Sequence, residues 1–287
     1  MSNAIEIMGL CKDFKGFRLK DVTFSLPQGH IMGFVGKNGA GKTTTIRLIL
    51  NMLARKSGNV SIFGLDNIKD EQAIKQNVGA IFDEIFFVES WKVSEVEKAV
   101  SGFYTNWDSG LFDKYIKKFE LPAGKRVREL SRGMKMKLML AVALSHGAKL
   151  LILDEPTSGL DPVARDELLD ILGDYISDGE KTVLFSTHIT SDLERIADYV
   201  TLIDNGAIFY TGAKDGLLKS YRIVKGGPGD LTAPLRKKII GLTSNKTGFS
   251  GLIHAADAKR LPDKTVTETA TIDEILVAIS REEDKNE

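Results

Sequence analysis

One glycine-rich segment carries the residues best suited to chemistry. Residues 36–43 read G-K-N-G-A-G-K-T, which fits the pattern G-x-x-x-x-G-K-[ST]. Backbone N–H groups of such a loop converge on one point, and the helix that follows adds partial positive charge there. The lysine can reach outer phosphates, and the hydroxyl of Thr43 can ligate Mg²⁺. The candidate phosphate-binding residues are Gly36, Asn38, Gly39, Ala40, Gly41, Lys42, Thr43 and Thr44.

The neighbours of this segment decide between two interpretations of it. Residues 30–35 are short and apolar, like a buried strand, and residues 44–50 have helical spacing. Without that context, the pattern also fits an ordinary glycine turn that carries a surface lysine. A strand, a glycine-rich loop and a helix in succession predict a nucleoside triphosphate site.

A second candidate segment ends in two adjacent carboxylates. Residues 150–156 read L-L-I-L-D-E-P, an apolar strand that stops at Asp154 and Glu155. Asp154 can hold Mg²⁺ through the water shell that this ion retains. Glu155 can then orient and polarise an attacking water. An acidic strand end capped by solvent is the alternative, and the phosphate loop elsewhere in the chain favours the catalytic interpretation.

Three further segments are weak evidence for a functional site when each is taken alone. Ser131 and Gly133 precede a predicted helix over residues 135–145, where they can form a second anion-binding helix end or simply cap a core helix. Asp161, before Pro162, is typical of an N-cap and predicts a helix to about residue 177. His188 follows an apolar strand, and a lone histidine there is more often structural than catalytic.

The elements that position these residues alternate between strands and helices. This alternation predicts an α/β fold with a largely parallel sheet. Residues 85–147 have helical spacing and no convincing strand, which indicates a helical insertion. From about residue 213 short mixed segments predict a small α+β appendage, with a helix over 272–279. The predicted strands cover residues 4–10, 19–26, 30–35, 59–63, 78–82, 149–153, 182–187 and 199–204.

Composition narrows the class of protein. The 287 residues hold 39 Lys and Arg against 39 Asp and Glu, so no net charge argues for a nucleic-acid partner. Cys11 is the single cysteine, which excludes an intrachain disulfide and fits a reducing compartment. No apolar run approaches the roughly 18 residues of a membrane span, and the N-terminus does not fit a secretory signal. We therefore expect a soluble, cytosolic chain.

The order of the motifs resembles the ATP-binding cassette (ABC) family. The phosphate loop, L-S-x-G-M, L-L-I-L-D-E-P, S-G-L-D and S-T-H follow one another within residues 4–212. The resemblance implies an ABC-type ATPase core with the P-loop NTPase fold over residues 1–212. It places the helical insertion at about 85–147 and leaves residues 213–287 as a small accessory domain. ATP and Mg²⁺ are the cofactors that it implies.

The family signature usually reads L-S-G-G-Q, and Arg132 and Met134 replace its third and fifth letters here. The resemblance implies that Ser131 and Gly133 contact the γ-phosphate of ATP bound to an opposite subunit. It therefore implies a head-to-tail dimer, of two copies or of this chain with a paralogue, that encloses two nucleotides.

The resemblance also implies roles for the remaining candidates. Lys42, Glu155 and His188 become catalytic residues, with His188 as the switch histidine that touches the γ-phosphate. Asp161 becomes the residue that links the two nucleotide sites. The presence of the expected base, Glu155, disfavours a third function, a regulatory nucleotide switch without turnover.

Two positions leave alternatives open. Phe14 falls where the family places an aromatic that stacks on adenine, and it also suits a core position beside the first strand. Asp83 falls where the family has a glutamine that ligates Mg²⁺. A carboxylate can ligate this metal too, although it is shorter and adds negative charge near the phosphates. Glu84 takes this place if the register differs by one.

The resemblance finally implies a partner protein, a location and a cellular role. A chain of this kind binds a separate integral membrane permease, lies at the inner face of the cell membrane and powers transport, more often export. The segment over residues 85–88 and Trp91 can receive the permease or pack in the insertion's core. The appendage can stabilise or regulate the dimer or be passive. The alternative function is a non-transport ABC ATPase that acts on nucleic acid or the ribosome.

Overall fold

The computed structural model describes residues 2–259, 261 and 265–283, and in that part of the chain three sheets are formed. The strands are β1 (Asn3–Phe14), β2 (Phe17–Pro27), β3 (Ile31–Val35), β4 (Ser57–Ile62), β5 (Leu65–Asp66), β6 (Val78–Ile81), β7 (Leu150–Asp154), β8 (Thr182–Thr187), β9 (Tyr199–Asp204), β10 (Ala207–Ala213), β11 (Tyr221–Gly226), β12 (Ile240–Ser244), β13 (Phe249–His254) and β14 (Val266–Thr269). The helices are α1 (Lys42–Ile49), α2 (Glu71–Asn77), α3 (Val93–Val100), α4 (Ser109–Lys118), α5 (Arg132–Ser145), α6 (Pro162–Tyr175), α7 (Thr190–Ile196), α8 (Lys214–Ser220), α9 (Ala233–Arg236), α10 (Ala255–Ala258) and α11 (Ile272–Glu283).

The central sheet has the order β10-β9-β3-β8-β7-β6, and all of its strands except β10 run parallel. Every residue of β3, β7 and β8 is buried, because helices or the second sheet cover both faces. The carboxyl ends of parallel strands share one edge of a sheet. The segments after β3, β7 and β8, which hold the predicted site, therefore meet there. The predicted α/β fold is confirmed.

A second sheet, in the order β2-β1-β4-β5, is antiparallel. The expectation of one largely parallel sheet is wrong for these strands. The reason is local: a two-residue turn over 15–16 joins β1 to β2, and such a short connection can only reverse the chain. Ile5 and Ile7 of this sheet pack with Met32 and Ile46, so the second sheet lies against β3 and α1.

The predicted helical insertion is confirmed as α3, α4 and α5. Its last helix lies directly on the central sheet at Gly79 of β6. A Cβ at Gly79 would lie 2.7 Å from the Cβ of Ala143, so glycine permits this close approach. The C-terminal half of α5 is buried as a result, and this contact fixes the helix whose first turn follows Ser131.

The C-terminal region forms a third, antiparallel sheet in the order β12-β13-β11-β14. The helix predicted over 272–279 is confirmed as α11, and residues 284–287 lie outside the described residues. Ile272 and Ile275 belong to the same buried cluster as Leu193 and Leu202, so this region packs onto the core. The division at residue 212 remains a prediction. Of the helices described, none has the length and apolar character that crossing a bilayer requires.

Candidate functional site

The glycine-rich loop connects β3 to α1 as the sequence predicts. Gly39 and Gly41 have φ of +82° and +114°, a region that favours glycine. A Cβ at Gly36 would overlap the carbonyl oxygen of Ile203, so this position also requires glycine. Ala40 anchors the loop, because its carbonyl oxygen accepts a hydrogen bond from the N–H of Gly206 at 3.0 Å.

Lys42 lies at the centre of this loop. It is the first residue of α1 and only 5% exposed. Its Nζ donates to the carbonyl oxygens of Gly36 at 2.6 Å and Lys37 at 3.3 Å. Thr43 and Thr44 follow in the first helical turn, half-buried, while Asn38 is exposed at the tip of the loop. The loop therefore gathers an ammonium, hydroxyls and a helix N-terminus in one place.

The two carboxylates lie at the end of β7, on the same edge of the sheet. Ser186 of β8 connects them: its Oγ donates to Asp154 Oδ1 at 2.6 Å and accepts from the N–H of Glu155 at 2.9 Å. Glu155 has φ of +50°, a region that non-glycine residues seldom adopt. This conformation and the bond to Ser186 turn the Glu155 side chain away from the strand direction taken by Asp154.

Glu155 and Lys42 are neighbours in space. Glu155 Oε1 lies 3.1 Å from Lys42 Nζ, and Oε2 lies 2.7 Å from His188 Nδ1. The phosphate loop, the carboxylate strand and the histidine after β8 therefore form one polar cluster at the edge of the sheet. A carboxylate beside the phosphate-binding ammonium can accept a proton from a water that attacks a bound phosphate.

The signature residues form a separate recess. Ser131 caps α5, and its Oγ accepts from the N–H of Met134 at 3.3 Å. Asp161 caps α6, and its Oδ1 accepts from the N–H groups of Val163 and Ala164. Ser131, Gly133 and Asp161 line one recess of about 240 Å³, and among the described residues its walls include none from the glycine-rich loop. The described part of the chain therefore holds Ser131, Gly133 and Asp161 apart from the glycine-rich loop.

Phe14 and Asp83, the two positions with open alternatives, both lie at the surface. The ring of Phe14 is 44% exposed and lies 6.4 Å from that of Phe17, with Lys12 Nζ 5.4 Å from its centroid. Its exposure disfavours core packing, and stacking on adenine remains a prediction. Asp83 forms an ion pair with Arg132.

Residues to which the sequence assigned no role of their own complete the site. Ser186 is the most important, because it bonds to both acidic residues. Phe17 lies beside Gly41, where a Cβ would approach its ring to 3.0 Å. Lys37 lies 3.5 Å from the carboxylate of Asp204 at the end of β9. Ser186 is the first letter of the S-T-H motif, which gave its position but not its hydrogen bonds to Asp154 and Glu155. The sequence signal for Asp204 is a polar residue at the end of an apolar strand.

The residues present fit a triphosphate with its metal. Backbone N–H groups and Lys42 suit phosphate oxygens. The Thr43 hydroxyl and the Asp154 carboxylate are the hard oxygen ligands that Mg²⁺ prefers, and this ion usually keeps several waters. Among the described residues, no cluster of three or more histidine, cysteine or acidic side chains has the arrangement of a metal site.

Comparison with known proteins gives consistent results. A family model described as ABC transporter matches residues 19–158. The chain is 33% identical over 228 residues to the bacitracin transport ATP-binding protein BcrA of Bacillus licheniformis, covering 77% of this chain and 74% of that protein. It is 32% identical over 248 residues to the Nod factor export ATP-binding protein I of Rhizobium leguminosarum bv. viciae, covering 81% and 78%.

Solved structures agree with the sequence relatives. The structure of an ATP binding subunit of an ABC transporter superposes with a TM-score of 0.68 at 26% identity, covering 75% of this chain and 91% of that one. The glycine-rich loop, the carboxylate pair and the capped signature helix occur here in the order and fold expected of that family. The chain therefore belongs to the ABC transporter family, as an ATP-binding subunit with ATPase activity.

Proposed function

We propose that two subunits of this type bind two ATP molecules head to tail and use their hydrolysis to drive a separate membrane permease. The contact between Glu155 and Lys42 carries the proposal, because it joins the expected base to the expected phosphate ligand within 3.1 Å.

In the proposed mechanism, Lys42 exchanges its loop carbonyl partners for phosphate oxygens when ATP binds. The loop N–H groups and the helix dipole stabilise the same charge. Thr43 and Asp154 are the residues that would hold Mg²⁺, and the ion would supply positive charge against the phosphates. Ser186 keeps the Asp154 carboxylate in place through its hydrogen bond.

Glu155 then accepts a proton from the attacking water on a carboxylate oxygen, while the water adds in line to the γ-phosphorus. His188, which contacts Glu155 Oε2, orients that carboxylate and reaches the γ-phosphate. Ser131 and Gly133 come from the second subunit and complete the phosphate site. Because these residues line a recess apart from the loop, the proposal needs two subunits for turnover.

The helical insertion offers exposed apolar side chains to which a permease can bind. Phe86 is 64% exposed and Val88 is also exposed, whereas Phe87 and Trp91 pack against the main core. We assign docking to Phe86 and Val88. The relatives named for bacitracin transport and Nod factor export support an exporter. This arrangement places the chain at the cytoplasmic face of the membrane, bound to its permease.

The test replaces Glu155 by glutamine in the full-length chain. We expect Glu155→Gln to bind ATP, to lose turnover by about 10²–10⁴-fold and to accumulate an ATP-bound dimer, since general-base catalysis is worth that much. Glu180→Gln, an exposed glutamate before β8, is the matched control and keeps the wild-type rate.

Two measurements separate the parts of the proposal. Phosphate release reports turnover, and size-exclusion chromatography with ATP and Mg²⁺ reports the dimer. Lys42→Ala should remove the thermal stabilisation that ATP gives, because the nucleotide no longer binds. Wild-type turnover in Glu155→Gln contradicts the assignment of the base. Absence of nucleotide binding and phosphate release by the wild type, with its permease present, contradicts the function.

A further inference from the structure

Two residues that depart from the family pattern contact each other. In the register that the family resemblance implies, Asp83 stands in place of the usual glutamine, and Arg132 stands in place of the usual glycine of the signature. They are 49 positions apart, and the structure joins them by an ion pair between Arg132 Nη2 and Asp83 Oδ1. Each unusual charge therefore has the other as its partner.

Arg132 also covers the loop between β7 and α6. Gly159 of that loop has φ of +67°, and a Cβ there would lie 3.0 Å from Arg132 Cζ. Glycine thus makes room for the guanidinium. Arg132 connects three segments of one subunit: the segment after β6, the first turn of α5, and the loop that follows Glu155.

The electrostatics of the helix explain why Arg132 needs a partner. The N-terminus of a helix carries partial positive charge, which makes an arginine in the first turn unfavourable. The first turn of α5 contains no acidic residue of its own. Asp83 supplies the negative charge from another segment, in a groove of about 510 Å³ that Glu84, Glu89 and Lys135 also line.

We propose that Asp83 is a positioning residue rather than a metal ligand. Its ion pair with Arg132, here called the latch, holds the first turn of α5, which follows Ser131. The latch fixes Ser131 and Gly133 against the Gly159 loop in the orientation that receives a second subunit's ATP. This inference rests on the proposed function. The side chains of Asp83 and Arg132 are 51% and 41% exposed, so the pair contributes little to the free energy of unfolding.

The experiment exchanges the charges in the full-length protein. Asp83→Arg and Arg132→Asp each place like charges together, and we expect each to lower kcat for ATP hydrolysis by up to about five-fold, the most that an exposed pair is worth. KM for ATP stays unchanged, because the residues of the glycine-rich loop are untouched. The double variant Asp83→Arg/Arg132→Asp restores the opposite charges and returns kcat to within about two-fold of the wild type.

A matched control uses the pair of Lys225 and Glu268, which is 46% and 50% exposed and lies in the C-terminal sheet. Its single and double reversals leave kcat unchanged. If the single variants of Asp83 and Arg132 keep the wild-type kcat, the latch is overturned. It is also overturned if the double variant is no faster than the slower of the two single variants.

Magnesium dependence distinguishes the latch from metal ligation. The latch predicts that Asp83→Asn and Arg132→Gln both lower kcat without changing the Mg²⁺ concentration that gives half-maximal rate. An increase of that concentration in Asp83→Asn alone assigns Asp83 to the metal and overturns the inference. A wild-type protein without turnover overturns the proposed function, and the latch with it. Wild-type turnover with unaltered variants overturns the latch alone.

Discussion

The burial of His146 makes the stability of the insertion sensitive to acid. His146 follows α5 as its C-cap and is 1% exposed. Its ring stacks on Tyr104, with centroids 3.9 Å apart and planes 10° from parallel. Burial disfavours the charged imidazolium and lowers the pKa of His146 from 6.5 to about 4. The neutral ring is therefore the form that the fold accepts.

The sign and size of the effect follow from this pKa. In the unfolded chain His146 takes up a proton near pH 6.5, whereas the folded chain takes it up only near pH 4. Stability is therefore complete above pH 6.5 and is lost as the pH falls toward 4. At 1.36 kcal/mol per unit, the loss from this residue is about 3 kcal/mol once the pH lies below both values.

Urea unfolding at pH 7.5 and pH 4.5 measures this contribution. We expect the wild type to lose about 2.5 kcal/mol more unfolding free energy between these pH values than His146→Gln, which has no titrating group at this position. His254→Gln, which removes an exposed imidazole, is the control and should behave as the wild type. An equal loss in the wild type and in His146→Gln refutes the argument from burial.

Two further predictions concern the site and the permease. Ser186→Ala removes the hydroxyl that bonds to Asp154 and to Glu155, and should lower the unfolding free energy by about 2 kcal/mol and slow phosphate release. Ser145→Ala, a buried hydroxyl elsewhere, should leave the rate unchanged, and equal rates in both variants contradict the role of Ser186. Phe86→Ala should weaken copurification with the permease without altering basal turnover. Met8 on β1 is equally exposed, and Met8→Ala should leave copurification unchanged. Unchanged copurification in Phe86→Ala excludes docking at Phe86.

The parts of the site that sequence predicts are those that lie within one continuous segment. The loop from Gly36 to Thr43 needs only its own letters and the strand and helix beside it. Ser131 and Asp161 are recognisable because an N-cap bonds to N–H groups two or three positions later. Local chemistry determines these features, and local patterns therefore reveal them.

The parts that sequence does not predict depend on how separate segments align. Ser186 meets Asp154 only because β7 and β8 pair in parallel with these residues in register. Arg132 meets Asp83 only because α5 lies against β6. The C-terminal strands are short and their side-chain pattern is irregular, so their pairing becomes clear only from the packing of α11 against β12.

Ser131, at the start of α5, has both a local role in its own segment and a proposed contact beyond it. Ser131 Oγ accepts a hydrogen bond from the N–H of Met134, as a cap requires, and a hydroxyl still has its own proton to donate. An aspartate caps a helix equally well, but it has no proton to donate and would repel a phosphate. At Asp161, which caps α6, a carboxylate is acceptable because two N–H groups satisfy it within its own subunit. Serine at position 131 can thus cap the helix and still donate a hydrogen bond to a phosphate oxygen, which is what the proposed contact with a second subunit's ATP requires.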